Sequence, residues 1–226
     1  MRVLILLMLP LAAAAAEPAL PLSRDTYEVS WRDYELGDGE VRLQAATRPN
    51  CYRYTSQTHP AALVRMFYGA PSESSEFCVE NGRVRPRHFE YKGNEDDSFT
   101  LDFNWKTRKI RGGKLPERAL PADGIDHFSI QQMVRLWALK NAYRKMPGSL
   151  KLTLMEKDNA LSFRFVIGGP ETVETPAGSF ACIRVDLKDD PQRQIHYWFA
   201  PERDWSLIQM ERIKNGKQQL KLVLKS

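Results

Sequence analysis

IDHFSIQQMVRLWALKNAYRK, residues 125–145, is the one long stretch of this chain whose apolar residues recur at helical spacing. Ile130, Met133, Val134, Trp137 and Ala138 stand at i, i+3, i+4, i+7 and i+8, which aligns them along one stripe of an α-helix. Asp126 is placed to cap the first turn, because a carboxylate there accepts free backbone N–H groups at the positive end of the helix dipole. Pro147 and Gly148 stop the helix, and Arg144 and Lys145 fall in its last turn, where cations are favoured. The stripe needs an apolar surface to cover.

On either side, the pattern switches to alternation. Tyr27, Val29 and Trp31 alternate before a Gly37-Asp38-Gly39 turn, and Val41, Leu43 and Ala45 follow. Tyr52 and Tyr54 share the apolar parity of a strand whose other face carries Cys51, Arg53 and Thr55. Residues 61–68 suit a helical turn or an extended connection equally. Asn81-Gly82 marks a type I′ hairpin that sets Glu80 opposite Arg83, Cys78 opposite Arg85 and Glu76 opposite Arg87, a solvated charge ladder. Glu95, Asp96 and Asp97 mark a loop tip. Phe99, Leu101, Phe103 and Trp105 alternate cleanly.

Beyond the helix come Leu150, Leu152 and Leu154, then Phe163, Phe165 and Ile167, then a strand that turns at Pro176-Ala177-Gly178 and returns through Ile183, Val185 and Leu187. Ile195, Tyr197 and Phe199 make another strand. In the closing hairpin a three-residue loop at Asn215-Gly216 with a bulge sets Ile208 opposite Leu224 and Met210 opposite Leu222.

About a dozen strands joined by short turns predict a mainly β protein. Its expected form is an antiparallel meander curled into an open barrel or β-spiral, with the amphipathic helix packed on the concave face. A β-sandwich is the other architecture such a strand count allows.

The opening MRVLILLMLPLAAAAAEP has one positive residue, an apolar run and a tract of small residues, the layout of a secretory signal peptide cleaved after Ala16. Residues 17–226 are then a single exported β-rich domain, periplasmic in a diderm bacterium. No cysteine lies near the junction to take a lipid, and no later run reaches the length of a membrane span. The formal charge of +5 becomes +4 without Arg2, the one charge in the removed segment. Export removes nucleic acid as a partner for this basic chain.

Export also permits disulfides, and three cysteines remain: Cys51, Cys78 and Cys182. Cys51 and Cys78 share the polar parity, and antiparallel pairing of their strands allows a bond between them. If it does not form, Arg85 lowers the Cys78 pKa. Cys182 is the free thiol in this reading. His59, His88, His127 and His196 show no metal-ligand spacing, and no nucleophile elbow, phosphate loop or dinucleotide fingerprint occurs. No enzyme activity and no cofactor is expected.

YEVSWRDYELGDGEVRL, YRYTSQTHPAALVRMFYGAPSESSEFCVENGRVRP, DSFTLDFNW, the helix from Asp126, ETVETPAGSF and HYWFAPERDWSLIQMERIKNGKQQLKLVLKS together resemble the bacterial domain-of-unknown-function family 3108. The resemblance spans nearly all of residues 17–226 and implies no activity. The end of the chain is more distantly similar to that of LolA, LolB and RseB, with Trp205-Ser206-Leu207 where those proteins often carry Leu-Pro.

Two functions follow as expectations. In one, a non-catalytic envelope protein binds a lipid or acyl chain, a lipoprotein or a peptide in the concave sheet. Its lining would be Trp31, Tyr52, Tyr54, Phe103, Trp105, Met133, Trp137, Phe163, Phe165 and Tyr197. In the other, a structural or assembly partner acts through a strand edge or its outer face, with no small ligand.

Overall fold

In a computed structural model the described residues are 20–32, 34–62, 69–93, 97–188, 190 and 192–226. The signal-like residues 1–19, residues 63–68 of the undecided segment, and Glu95 and Asp96 lie outside them.

The described strands are β1 (Ser23–Trp31), β2 (Tyr34–Ala45), β3 (Cys51–Pro60), β4 (Ser72–Glu80), β5 (Arg83–Lys92), β6 (Phe99–Asn104), β7 (Lys109–Gly112), β8 (Arg118–Ala119) and β9 (Gly124–Ile125). Helix α1 (Ile130–Asn141) follows. After it come β10 (Ser149–Met155), β11 (Ala160–Thr175), β12 (Gly178–Lys188), β13 (Arg193–Ala200), β14 (Ser206–Lys214) and β15 (Lys217–Leu224). They form one sheet in the order β8-β7-β6-β5-β4-β3-β2-β1-β15-β14-β13-β12-β11-β10-β9. Neighbours are antiparallel except β9 and β10, which run parallel through Thr153 opposite Gly124 and Leu154 opposite Ile125.

The sheet curls without closing, since strand twist accumulates across so many neighbours. Its end strands β8 and β9 do not pair with each other. The flanks of the opening are tied instead by turns. Lys114 N–H donates to Lys157 O at 2.8 Å, and the Arg118 guanidinium donates to the carbonyls of Asn159, at 2.9 Å, and Glu156.

The concave face holds the core, with Tyr54, Phe77, Phe89, Leu101, Phe165, Phe199 and Ile208 fully buried. Helix α1 lies within it. The predicted stripe is buried, but so are Gln132, Arg135 and Leu136, because the sheet wraps the helix on more than one side. The helix proper starts at Ile130, five residues later than the stretch suggests, and ends at Asn141, so Lys140 and not Arg144 or Lys145 is the cation of its last turn. Asp126 caps the turn before it, taking the N–H groups of Phe128 and Ser129 at 2.9 and 2.7 Å and the hydroxyls of Ser129 and Ser75, both at 2.7 Å.

Three local expectations are corrected. Gly37 and Gly39 do not turn the chain but pair inside β2 with Val29 and Tyr27. The turn comes earlier, after Trp31, and Gly37 is needed because a Cβ there would stand 2.4 Å from His59 O. A bulge at Glu76/Phe77 sets Glu76 opposite His88 rather than Arg87; Arg87 reaches back to Glu80, and Glu76 pairs with Arg53. Asn215-Gly216 is a two-residue turn, with Lys214 opposite Lys217, and the bulge lies at Arg212/Ile213, so Met210 still meets Leu222. Two short strands, β8 and β9, also lie between β7 and the helix.

Candidate functional site

Where the sheet fails to close, a cleft of about 630 Å³ opens between β5 and β10. Asn81 and Gly82 adopt positive φ, as a type I′ turn requires, and so launch β5 with Arg83 and Arg85 facing outward while Val84 and Pro86 face in. On the other wall β10 turns Ser149 and Lys151 outward and buries Leu150 and Leu152. Ala122 and Asp123 close one end, and Trp137 of α1 and Leu150 make an apolar floor. Beneath the floor, beside Met133 and Leu152, the remaining space is about 10 Å³, roughly the least that holds one water.

The rim is basic. Arg85 stacks on Trp105 with its guanidinium 4.3 Å from the ring centre and donates to Ala122 O at 2.6 Å. Burial, with Arg83 and Arg108 adding, lowers its pKa. Trp105 donates in turn to Pro86 O at 2.6 Å, and Arg108 donates to Leu120 O at 3.0 Å. Lys140, in the last turn of α1, carries its ammonium over Gly82. Among the described residues Arg83, Lys140 and Lys151 have no ion-pair partner. Asp123 is the one acid in the lining, and its carboxylate accepts the Thr153 hydroxyl at 3.1 Å.

The sequence-derived candidates divide three ways. Trp137 floors the cleft, Met133 lies just beneath it, and Trp105 flanks it under Arg85. Tyr52, Tyr54, Phe103, Phe163, Phe165 and Tyr197 are buried in the packed interior; Tyr54 stacks on Phe128 at 4.1 Å, and the Tyr52 hydroxyl accepts Leu20 N–H at 2.9 Å. Trp31 stands exposed at the end of β1, stacked on Tyr34 beside Arg32. Arg83 and Arg85, read from the sequence as part of a solvated ladder, are the residues that define the cleft. Lys151 carried no sequence signal, because nothing local says which strand lies across the opening.

Other polar clusters lie away from the cleft. Arg135 is buried in the interior and donates to Gln132 Oε1 at 3.2 Å and Asp204 O at 2.6 Å. On the convex face Asp186 makes an ion pair with Arg184 at 2.9 Å and lies 2.7 Å from His196 Nδ1, while Trp198 donates to Glu171 at 2.7 Å. Gly168 permits this cluster, since a Cβ there would stand 2.8 Å from both Arg184 Nε and Asp186 Oδ2. Cys51 and Cys78 face each other across β3 and β4 and are bonded, with Cα atoms 3.9 Å apart. Cys182 is free and buried, and burial beside Glu202 and Glu171 pushes its thiol up to about 12. Among the described residues no group of three or more His, Cys, Asp or Glu side chains is assembled to hold a metal ion. No described helix is long and apolar enough to cross a membrane.

The family model described as "Protein of unknown function (DUF3108)" matches residues 26–223. The chain belongs to the DUF3108 family. No curated protein matches it. A β-barrel-like protein of the DUF1849 domain from Brucella abortus has a similar fold, at 12% identity and a TM-score of 0.55 over 92% of this chain and 97% of that one. An exported protein with a YmcC-like fold from Bacteroides fragilis aligns at 15% identity and a TM-score of 0.42, over 89% of this chain and 93% of that one. A lipoprotein from Parabacteroides distasonis aligns at 12% and 0.35, over 92% and 96%. For this DUF3108 chain, the Brucella protein supports the curled, barrel-like sheet and nothing about activity.

Proposed function

We propose that the chain is a non-catalytic cell-envelope protein that docks a segment of another envelope polypeptide at the opening of its curled sheet. The observation that carries this reading is the contrast between interior and opening. The concave face is filled by α1 and the aromatic core, whereas the cleft over Trp137 and Leu150 is open and rimmed with cations. The signal-like first 16 residues and the Cys51–Cys78 bond support an oxidising compartment outside the cytoplasm. A second reading, an acyl chain held by the sheet, is favoured by the apolar floor alone, and a chain of any length would need α1 to move aside.

The test is a photo-crosslinking residue placed at Lys151, with a control at the exposed Ser179 near the start of β12, in the exported protein in its own cells. A discrete protein adduct at 151 that is absent at 179 is the expected result. No adduct at 151, together with co-purifying lipid near one-to-one by native mass spectrometry, would replace docking with the acyl-carrier reading.

A further inference from the structure

The cleft is the unfilled part of a slot one strand wide. At its inner end β9 already occupies that slot: it pairs with β10 at Thr153 and Leu154 and packs on its other side against β5. Because β9 pairs with β10 and packs against β5 without pairing, it holds those two strands apart by the width of a strand. Beyond Asp123 the chain that forms β9 leaves the slot, and residues 149–152 of β10 keep a ladder partner only on the β11 side.

The backbone groups on that bare edge point into the cleft. Thr153 N–H is turned towards β9, where it donates to Asp123 O at 3.0 Å. Ladder groups alternate with a two-residue period, so the N–H groups of Lys151 and Ser149 face the same way, beyond the reach of β9. The opposite edge differs: the Val84 N–H is taken by Met133 Sδ at 3.3 Å, Pro86 has no N–H, and Pro86 O is taken by Trp105. One wall therefore offers a pairing edge, and the other is blunted.

We propose that an extended polypeptide segment with alternating acidic and apolar residues enters this slot as an added strand on β10, continuing the line that β9 begins. Side chains of a strand alternate between faces. Those turned inward would lie on Trp137 and Leu150, and those turned outward would stand among Arg83, Arg85 and Lys151, where cations outnumber the single acid Asp123. Charge complementarity thus selects carboxylates on the outer face and strand pairing selects an extended backbone. This inference deepens the docking reading and rests on it.

The probe is an acetylated, amidated Val-Glu octapeptide, titrated into the purified full-length exported protein. Controls are its Val-Lys counterpart, a Val-Glu version N-methylated at alternate backbone nitrogens, and anionic phospholipid vesicles. The Val-Glu peptide is expected to bind and to slow amide hydrogen exchange at Lys151, with the Val-Lys and N-methylated peptides weaker by about tenfold or more. An Arg83→Glu/Lys151→Glu double variant should reverse the charge preference, a gain that a misfolded protein would not show.

Equal binding of the N-methylated peptide, or binding without protection at Lys151, would overturn strand addition and leave only charge attraction. Preference for vesicles over every peptide would overturn a peptide occupant. If the peptide fails while the crosslink at 151 still captures a protein, the acidic strand falls and the docking reading stands. If no protein is captured but the peptide binds as expected, the slot stands and the docking reading falls.

Discussion

The backbone N–H of Val84, on the free edge of β5, donates to Sδ of Met133 in α1 at 3.3 Å. The helix thereby does more than fill the hollow: it takes up a donor on one wall of the opening, so that the sheet edge is satisfied without a neighbouring strand. Met133→Leu keeps the buried volume but removes the acceptor, which should speed exchange of the Val84 amide and cost about 1–3 kcal/mol for an unmet buried donor. Met133→Ala should cost about 2–5 kcal/mol by leaving a cavity as well. Unfolding in denaturant with amide exchange checks both; unchanged exchange at Val84 in Met133→Leu would show that the contact contributes nothing.

Asp126 gathers the approach to α1 through four donors, and it is fully buried, which raises its pKa. Asp126→Ala should cost roughly 3 kcal/mol or more, since two backbone N–H groups and two hydroxyls lose their acceptor at once. Ser75→Ala removes one of the four and should cost about 1 kcal/mol. Equal losses in the two variants would argue that Asp126 acts only through Ser75.

His127 Nε2 lies 2.7 Å from Glu73 Oε1, with the ring edge-on to Phe89. Burial pulls its pKa down, but the charge and hydrogen bond of Glu73, with Glu156 and Asp126 adding, outweigh it and raise the imidazole to about 9. The folded value lies above the ordinary one of 6.5. The group therefore contributes its stability in full below about pH 6.5 and loses it as pH rises through about 9. Denaturation midpoints between pH 6 and 10 should fall across that window in the parent and less in His127→Gln; the same slope in both would assign the loss to other groups.

Cys51–Cys78 closes a loop with a sequence separation of 27. Chain entropy assigns such a loop about 3.5 kcal/mol, so a Cys51→Ala/Cys78→Ala variant should melt roughly 10 °C lower. Non-reducing peptide mapping checks the bond itself, and an alkylated Cys51 in untreated protein would disprove it. In the same experiment Cys182, buried and with its thiol raised to about 12, should resist alkylation until the protein unfolds.

Much of the fold is legible in local spacing. Strand parity, the Asn81-Gly82 turn, the Cys51–Cys78 facing pair and the apolar stripe of α1 each depend on neighbours within a few residues or across one hairpin. The misreadings share one cause. Gly37 and Gly39 look like a turn but lie inside β2, Gly37 close against β3 and Gly39 against Val29 of β1, and the bulges at Glu76/Phe77 and Arg212/Ile213 shift register in ways that no residue type announces. Arg135 and Gln132 lie off the apolar stripe, and only the wrapping sheet makes them interior.

The candidate site was visible only in fragments. Arg83, Arg85, Trp105 and Trp137 stand out as residues, but Lys151 joins them across an opening that depends on where the sheet ends.

Local spacing therefore specifies the class of the molecule: a family of unknown function, a curled antiparallel meander and one helix with an apolar stripe to cover. The pairing of β1 with β15, the enclosure of the helix on more than one side and the opening between β5 and β10 come from long-range packing. Periodicity reports which face of an element is apolar, because that is set residue by residue. Which edges meet depends on twist accumulated over the whole sheet, and that sum is available only once every strand is in place.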